Sequence, residues 1–238
     1  MRRSVLSLLV LLPLTLCLSG CGELGFDNWR WHQKLIVEVE VNGKVVQGSA
    51  VTSIHWWPNS FGKGGHGGAR WLSKVKGEAV VVDLGKGRYL FALLSYPRNT
   101  EYIEHLATRS LYKSTKRVWG NKAFARVLSH KGKEPIVVPR DVYPMMVTFE
   151  DITDPSSVKQ VNPNNLEGTF GPGYKLKSIT LEITDEPVTA GKVEAVLGWF
   201  YDVNRVVPKA NLDEYRRKYG QSVPGKGDFI SYKSWRKK

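Results

Sequence analysis

The chain is poor in cysteine, and both cysteines, Cys17 and Cys21, lie within its first 21 residues. Beyond them no disulfide can form, no thiolate can serve as a nucleophile and no cysteine can ligate zinc. The body must therefore be held by its own apolar core. The 218 residues from Cys21 onward are enough, since a domain of that size buries roughly 70% of its unfolded surface. Also missing are an interior apolar run long enough to span a bilayer, an internal repeat and a linker of domain-separating composition. No serine or zinc signature of a hydrolase stands at an informative spacing. No acidic residue occurs between Arg109 and Lys133. These absences weigh against an enzyme, and no cofactor is expected.

The leader is explicit. Arg2 and Arg3 precede an apolar run from Val5 to Leu16, interrupted only by Ser7, Pro13 and Thr15, and small residues precede Cys21. This is the pattern of an export signal, too short and too broken by proline for a stable span. Leu18-Ser19-Gly20-Cys21 resembles the lipobox of bacterial lipoproteins. That resemblance implies cleavage before Cys21, a diacylglyceryl group on its sulfur and often acylation of the new amine. Each buried methylene contributes about 0.8 kcal/mol, so two or three acyl chains hold where one would not. The implied location is the membrane surface facing the periplasm or the cell exterior. Gly22 stands where aspartate marks inner-membrane retention in enteric bacteria, which favours an outer membrane where one exists. The expected organisation is a leader at 1–20, a tether at 21–28 and one α+β domain at 29–238 ending in a basic tail. The tether spans at most about 26–29 Å, so the body stays near the bilayer.

The body reads as strand-dominated α+β, largely antiparallel, with one long helix and several short ones. Lys34 to Val41 alternates, Asn42-Gly43 is a preferred hairpin turn, and Lys44 to Trp57 returns. Pairing Val41 with Lys44 sets Val39 opposite Val46, Trp31 opposite Ile54 and Trp29 opposite Trp56. Leu35, Val37, Val39, Val46, Ala50, Ile54 and the tryptophans then share the buried face, and Lys34, Glu38, Glu40 and Gln47 the polar one. Gly48 marks a bulge or a close approach. A second hairpin is expected from Glu78 to Leu84 and Arg88 to Leu94, with Val81 opposite Phe91, its apolar runs suggesting central strands. Further strands are expected at Ile136–Val138, Met145–Phe149 and Lys175–Thr184. Thr189 is the expected cap of a helix bearing Val193, Val196, Leu197 and Phe200. Another helix is expected from Asn211 to Tyr219, stopped by Gly220.

Charge is the strongest pointer to function. From Cys21 the chain carries 33 Lys or Arg against 22 acids, a net +11. Arg109 to Lys133 alone holds +8 and Arg205 to Lys238 +7, while Glu134 to Asn204 is net −6. A helix from about Thr100 to Trp119, capped by Asn99, would align Arg109, Lys113, Lys116 and Arg117 on one face, with Lys122 and Arg126 following. Segregated positive charge favours anionic partners: lipid headgroups, lipopolysaccharide phosphates or an acidic cell-wall polymer, with nucleic acid not expected. The aromatic and cationic residues from Phe229 to Lys238 either pack through their rings and leave the lysines frayed, the preferred reading, or suit the same kind of surface.

Weaker candidates concern chemistry. Gly62, Gly64 and Gly67 satisfy G-x-G-x-x-G, but Gly77 cuts short the helix that a dinucleotide site needs. The loop's Lys63, His66 and Arg70 suit an anion, or belong to a plain hairpin loop. The register sets His32 opposite Ser53 and Arg30 opposite His55, with no orienting acid nearby. Two similar strand exits, Glu150 to Pro155 and Glu182 to Pro187, hold Glu150, Asp151, Asp154, Asp185 and Glu186. They supply a converging carboxylate site or merely repeated turn chemistry. The expected function is a non-catalytic, lipid-anchored envelope protein binding an anionic component. The alternative is an envelope-polymer hydrolase using those carboxylates or His66.

Overall fold

The computed structural model describes residues 28–59, 71–95 and 102–231. The leader, Cys21, the glycine-rich segment with His66, Asn99 and the chain beyond 231 lie outside the described residues.

The first hairpin organises the rest. β1 (Trp29–Val41) and β2 (Lys44–Pro58) pair antiparallel over their length, with Val41 opposite Lys44, Val39 opposite Val46 and Trp29 opposite Trp56. Asn42 and Gly43 both take positive φ, 50° and 80°, as the tight turn between right-twisted strands requires. Along β1 every second residue from Trp31 to Val39 is buried, which is the two-residue period of a half-buried strand. Gln33 falls on this face and is fully buried. Its side chain accepts from the Trp31 indole and donates to the Ile103 carbonyl.

β3 (Trp71–Glu78) joins the outer side of β2. The chain then leaves this sheet within two residues, and β4 (Val80–Asp83) and β5 (Tyr89–Ala92) begin a second one. After α1 (Ile103–Tyr112) and α2 (Asn121–Leu128) come β6 (Ile136–Val137), β7 (Met146–Phe149), β8 (Val158–Val161), α3 (Glu167–Phe170) and β9 (Tyr174–Thr184). The chain closes with α4 (Lys192–Val196), α5 (Leu212–Tyr219), α6 (Lys226–Phe229) and β10 (Ile230–Ser231). One sheet has the order β10-β3-β2-β1-β9-β6 and the other β4-β5-β7-β8. Every strand pair described is antiparallel. The fold class is α+β.

Two apolar clusters use the two faces of the smaller sheet. Val82, Leu90, Met146 and Val161 pack with Val37, Val39 and Ile54 of the large sheet. Phe91, Val147, Phe149 and Val158 pack instead with Val193, Tyr215 and Phe229 of the late helices and with Leu197 and Phe200 of the turn after α4. Side chains of this size contribute roughly 1.5–3 kcal/mol each when fully buried. The second hairpin has the expected register, Val81 opposite Phe91. Only β5 is central, however. β4 is an edge strand, buried because β2 crosses it. Gly48 makes that crossing possible: a Cβ there would run into the Val81 carbonyl. The β1–β2 ladder passes Gly48 without a bulge, so close approach is its role.

Thr189 does not cap α4. Its hydroxyl accepts from the Val51 amide at 2.8 Å, and Gly191 stands at the cap position. The first helical amides of Lys192 and Val193 are met instead by the buried Glu78 carboxylate, at 3.0 and 3.3 Å. Burial raises the pKa of Glu78, and these backbone donors oppose the shift.

Replacing Gly48 by alanine is expected to cost about 1–3 kcal/mol, because backbone, not a flexible side chain, must yield. Gly198→Ala, where a new Cβ meets nothing within 4 Å, serves as the control. Urea unfolding should show a clear loss of midpoint for the first and none for the second.

A candidate anionic interface on α1 and α2

α1 and α2 cover the tryptophan-rich end of the first hairpin. Phe124 of α2 lies among four indoles, with ring centroids 5.9 Å from Trp29, 5.8 Å from Trp31, 5.3 Å from Trp56 and 5.2 Å from Trp71. Ala123, Phe124 and Val127 are buried. Lys122 and Arg126, four residues apart, occupy the opposite, exposed side of the helix. The Trp29 indole donates to the Asn121 side chain at 3.2 Å and pins the first turn.

The long helix expected from Thr100 to Trp119 is not one helix. α1 ends at Tyr112, where Lys113 adopts the left-handed conformation (φ 47°, ψ 47°) and the Ser114 amide turns back to the Arg109 carbonyl at 3.0 Å. Ser114 then uses its hydroxyl on the backbone of Lys116, the local bonding by which serine competes with helix continuation. The face expected to unite Arg109, Lys113, Lys116 and Arg117 therefore does not form. Arg109 is buried, 6% exposed, whereas Lys113, Lys116 and Arg117 are exposed on the connector to α2. The exposed cations are joined by Lys122 and Arg126.

Exposed rings stand among them. Tyr112 is 39% and Trp119 50% exposed, and the Arg126 guanidinium lies 4.6 Å from the Tyr112 ring centre. Leu128 and Val137 add exposed apolar surface in the same stretch of chain. Beneath them His105 is buried, its ring 4.9 Å from Trp56 and 5.8 Å from Trp119. Burial, then the charges of Arg109 and Arg117, push its pKa down to about 4. The electrostatic effect of the cap is thus felt in its interior as well as at its surface.

The carboxylates divide between two turns in different sheets. Glu150, Asp151 and Asp154 follow β7, while Asp185 and Glu186 follow β9. Asp151 accepts from the amide and hydroxyl of Thr153, which hold its carboxyl below the usual range, and Asp154 accepts likewise from Ser156. Glu150 pairs with Lys159, Glu186 with Lys34 at 2.7 Å and Asp185 with Lys131 at 2.6 Å. Among the described residues no group of three or more His, Cys, Asp or Glu is placed to hold a metal ion. His32 lies opposite Ser53 as the register requires, and its Nδ1 contacts the Glu186 carbonyl at 2.7 Å. His55 contacts the Asn28 side chain and the Trp57 ring. His66 lies outside the described residues.

Fold and surface together define an α+β protein of two antiparallel sheets, capped at one end by a basic helical layer. No protein-family model matches the chain, and neither a curated protein nor a solved structure matches it.

The depressed pKa of His105 sets a pH dependence. The unfolded chain takes up this proton near pH 6.5, whereas the folded protein resists until about 4. Stability present above pH 6.5 is therefore lost as pH falls through that window, by on the order of 3 kcal/mol. In urea unfolding at about pH 7 and about pH 4, His105→Phe is expected to lose less stability than the natural chain.

Proposed function

We propose that this chain is a non-catalytic, lipid-anchored protein of the cell envelope whose α1–α2 cap binds an anionic envelope component. The observation that carries the reading is the company of exposed charges and rings on that cap. Lys113, Lys116, Arg117, Lys122 and Arg126 are exposed around Tyr112 and Trp119, in a stretch without an acidic residue. Lys and Arg meet phosphate, and Tyr and Trp settle at headgroup level. Each cation close to an anionic surface contributes roughly 1 kcal/mol, screened over a Debye length of about 8 Å at physiological salt. Lipid on Cys21 and a tether of eight residues would keep the body beside that surface, so weak attractions act at high effective concentration. Among the described residues no helix is long and apolar enough to cross a membrane. The anchor in this proposal is the lipid.

Two measurements test it. Mass spectrometry of the mature protein should show loss of twenty residues and gain of acyl mass at Cys21. A Cys21→Ser protein that stayed on membranes at high salt would remove the anchor from the proposal. Separately, the protein beginning at Gly22 is expected to sediment with phosphatidylglycerol-rich vesicles and to release them as salt rises. Changing Lys113, Lys116, Lys122 and Arg126 to Glu should weaken that binding by about a hundredfold or more, with circular dichroism unchanged. Arg109 is left in place because it is buried. Binding indifferent to salt, or none to vesicles, lipopolysaccharide or anionic cell-wall polymer, would overturn the reading.

A further inference from the structure

The smaller sheet has one strand edge that no other strand pairs or crosses among the described residues. Short strands β10 and β6 end the large sheet, and β2 crosses β4. β8 has no such cover, and it pairs only with β7. An uncovered edge presents a row of backbone donors and acceptors, and proteins ordinarily block it.

The orientation of those groups follows from the ladder. The Glu150 amide donates to the Ser157 carbonyl, so this opposed pair is hydrogen-bonded. Alternation makes Thr148–Lys159 and Met146–Val161 bonded pairs as well, and leaves Phe149–Val158 and Val147–Gln160 unbonded. The N–H and C=O groups of Val158 and Gln160 therefore point away from β7. They have no hydrogen-bond partner among the described residues.

Val158 and Gln160 border a groove. Its far wall is the last turn of α5, and it consists of two clefts of 140 and 530 Å³ that share Lys218 and Tyr219. Val158 lines the narrower cleft and Gln160 the wider one, beside Asn162. One feature of the wall calls for a ligand. Lys218 borders both clefts, and its ammonium lies 5.3 Å from the Tyr219 ring without an ion pair among the described residues.

We infer that the groove between β8 and α5 binds an extended acidic peptide segment of a partner protein, which adds as a fifth strand beside β8. Val158 and Gln160 can each exchange two hydrogen bonds with such a strand, and the spacing of two residues is that of an antiparallel ladder. Residues directly opposite one another share a sheet face. Val158 faces the late-helix core, so the peptide residue opposite Gln160 also projects toward α5 and meets Lys218. An acid there supplies the missing counter-charge. The expected signature is an acid at the position opposite Gln160. The groove shares no residue with the α1–α2 cap, so this inference stands apart from the proposed surface binding.

The test is selection of a random heptapeptide library on the purified protein from Gly22 onward, followed by affinity measurement on the enriched peptides by fluorescence anisotropy. Enriched sequences should be free of proline at their centre and should carry an acid. Gln160→Pro removes one outward N–H but no bond to β7, a position where proline is tolerated. It is expected to weaken binding about tenfold, with thermal unfolding little changed. Lys218→Glu should leave folding intact and invert the preference to basic peptides. If Gln160→Pro fails to fold, the charge inversion alone decides. The inference is overturned by no enrichment, by enriched peptides indifferent to Lys218→Glu, or by a folded Gln160→Pro protein that binds as before. It is overturned equally if a cell-wall oligosaccharide, and no peptide, occupies the groove.

Discussion

The pleat of the first hairpin is the constraint on which the remainder depends. The thirteen residues of β1 alternate and pair with the fifteen of β2, so that one face must be covered along its length. Two different partners share that task. Near the turn, Val37 and Val39 are covered by the smaller sheet, and the glycine at position 48 lets the two backbones meet. At the open end the side chains grow to Trp29, Trp31 and Trp56, joined by Trp71 of the adjoining β3, and a single phenylalanine of α2 fills the space among them. A change of side-chain size along one face thus decides where a sheet packs and where helices pack.

That division also shapes the charged surface. Because Phe124 faces inward, Lys122 and Arg126 must face outward, and the connector before α2 carries Lys113, Lys116 and Arg117 into solvent. The same layer buries Arg109 and His105, so the cap couples display of charge to depression of the histidine pKa. On the opposite side of the smaller sheet, Val158 anchors β8 to the late helices, while among the described residues no strand pairs with its outer backbone edge. The described residues therefore present two unlike surfaces, one marked by side-chain charge and one by backbone groups unpaired among those residues.

How much of the site was legible in the sequence differs from residue to residue. The basic stretch itself was plain, since net charge needs no structure. Its arrangement was not. Helical spacing put Arg109 beside Lys113, but the left-handed turn at Lys113 and the local bonding of Ser114 separate them, and tertiary packing takes Arg109 inside. Periodicity reports a face only as far as the helix runs. His105 escaped notice because one histidine among apolar residues gives no signal until Trp56 and Trp119 close over it. The two acidic strand exits looked alike because they share turn chemistry, and likeness of sequence carried no information about proximity. The groove beside β8 was also hidden: an edge is defined by what fails to pair, which a single strand cannot reveal.

By itself the sequence determined the fold class, both hairpin registers and the segregation of charge. These rest on local rules: a two-residue period, a turn that demands positive φ, and the identity of each side chain. Only the tertiary structure decided that Glu78 rather than Thr189 meets the start of α4, that Gly48 serves a strand crossing, and which cations reach the surface. Those outcomes depend on which distant segments compete for the same buried volume, and that competition is settled only when the whole core packs.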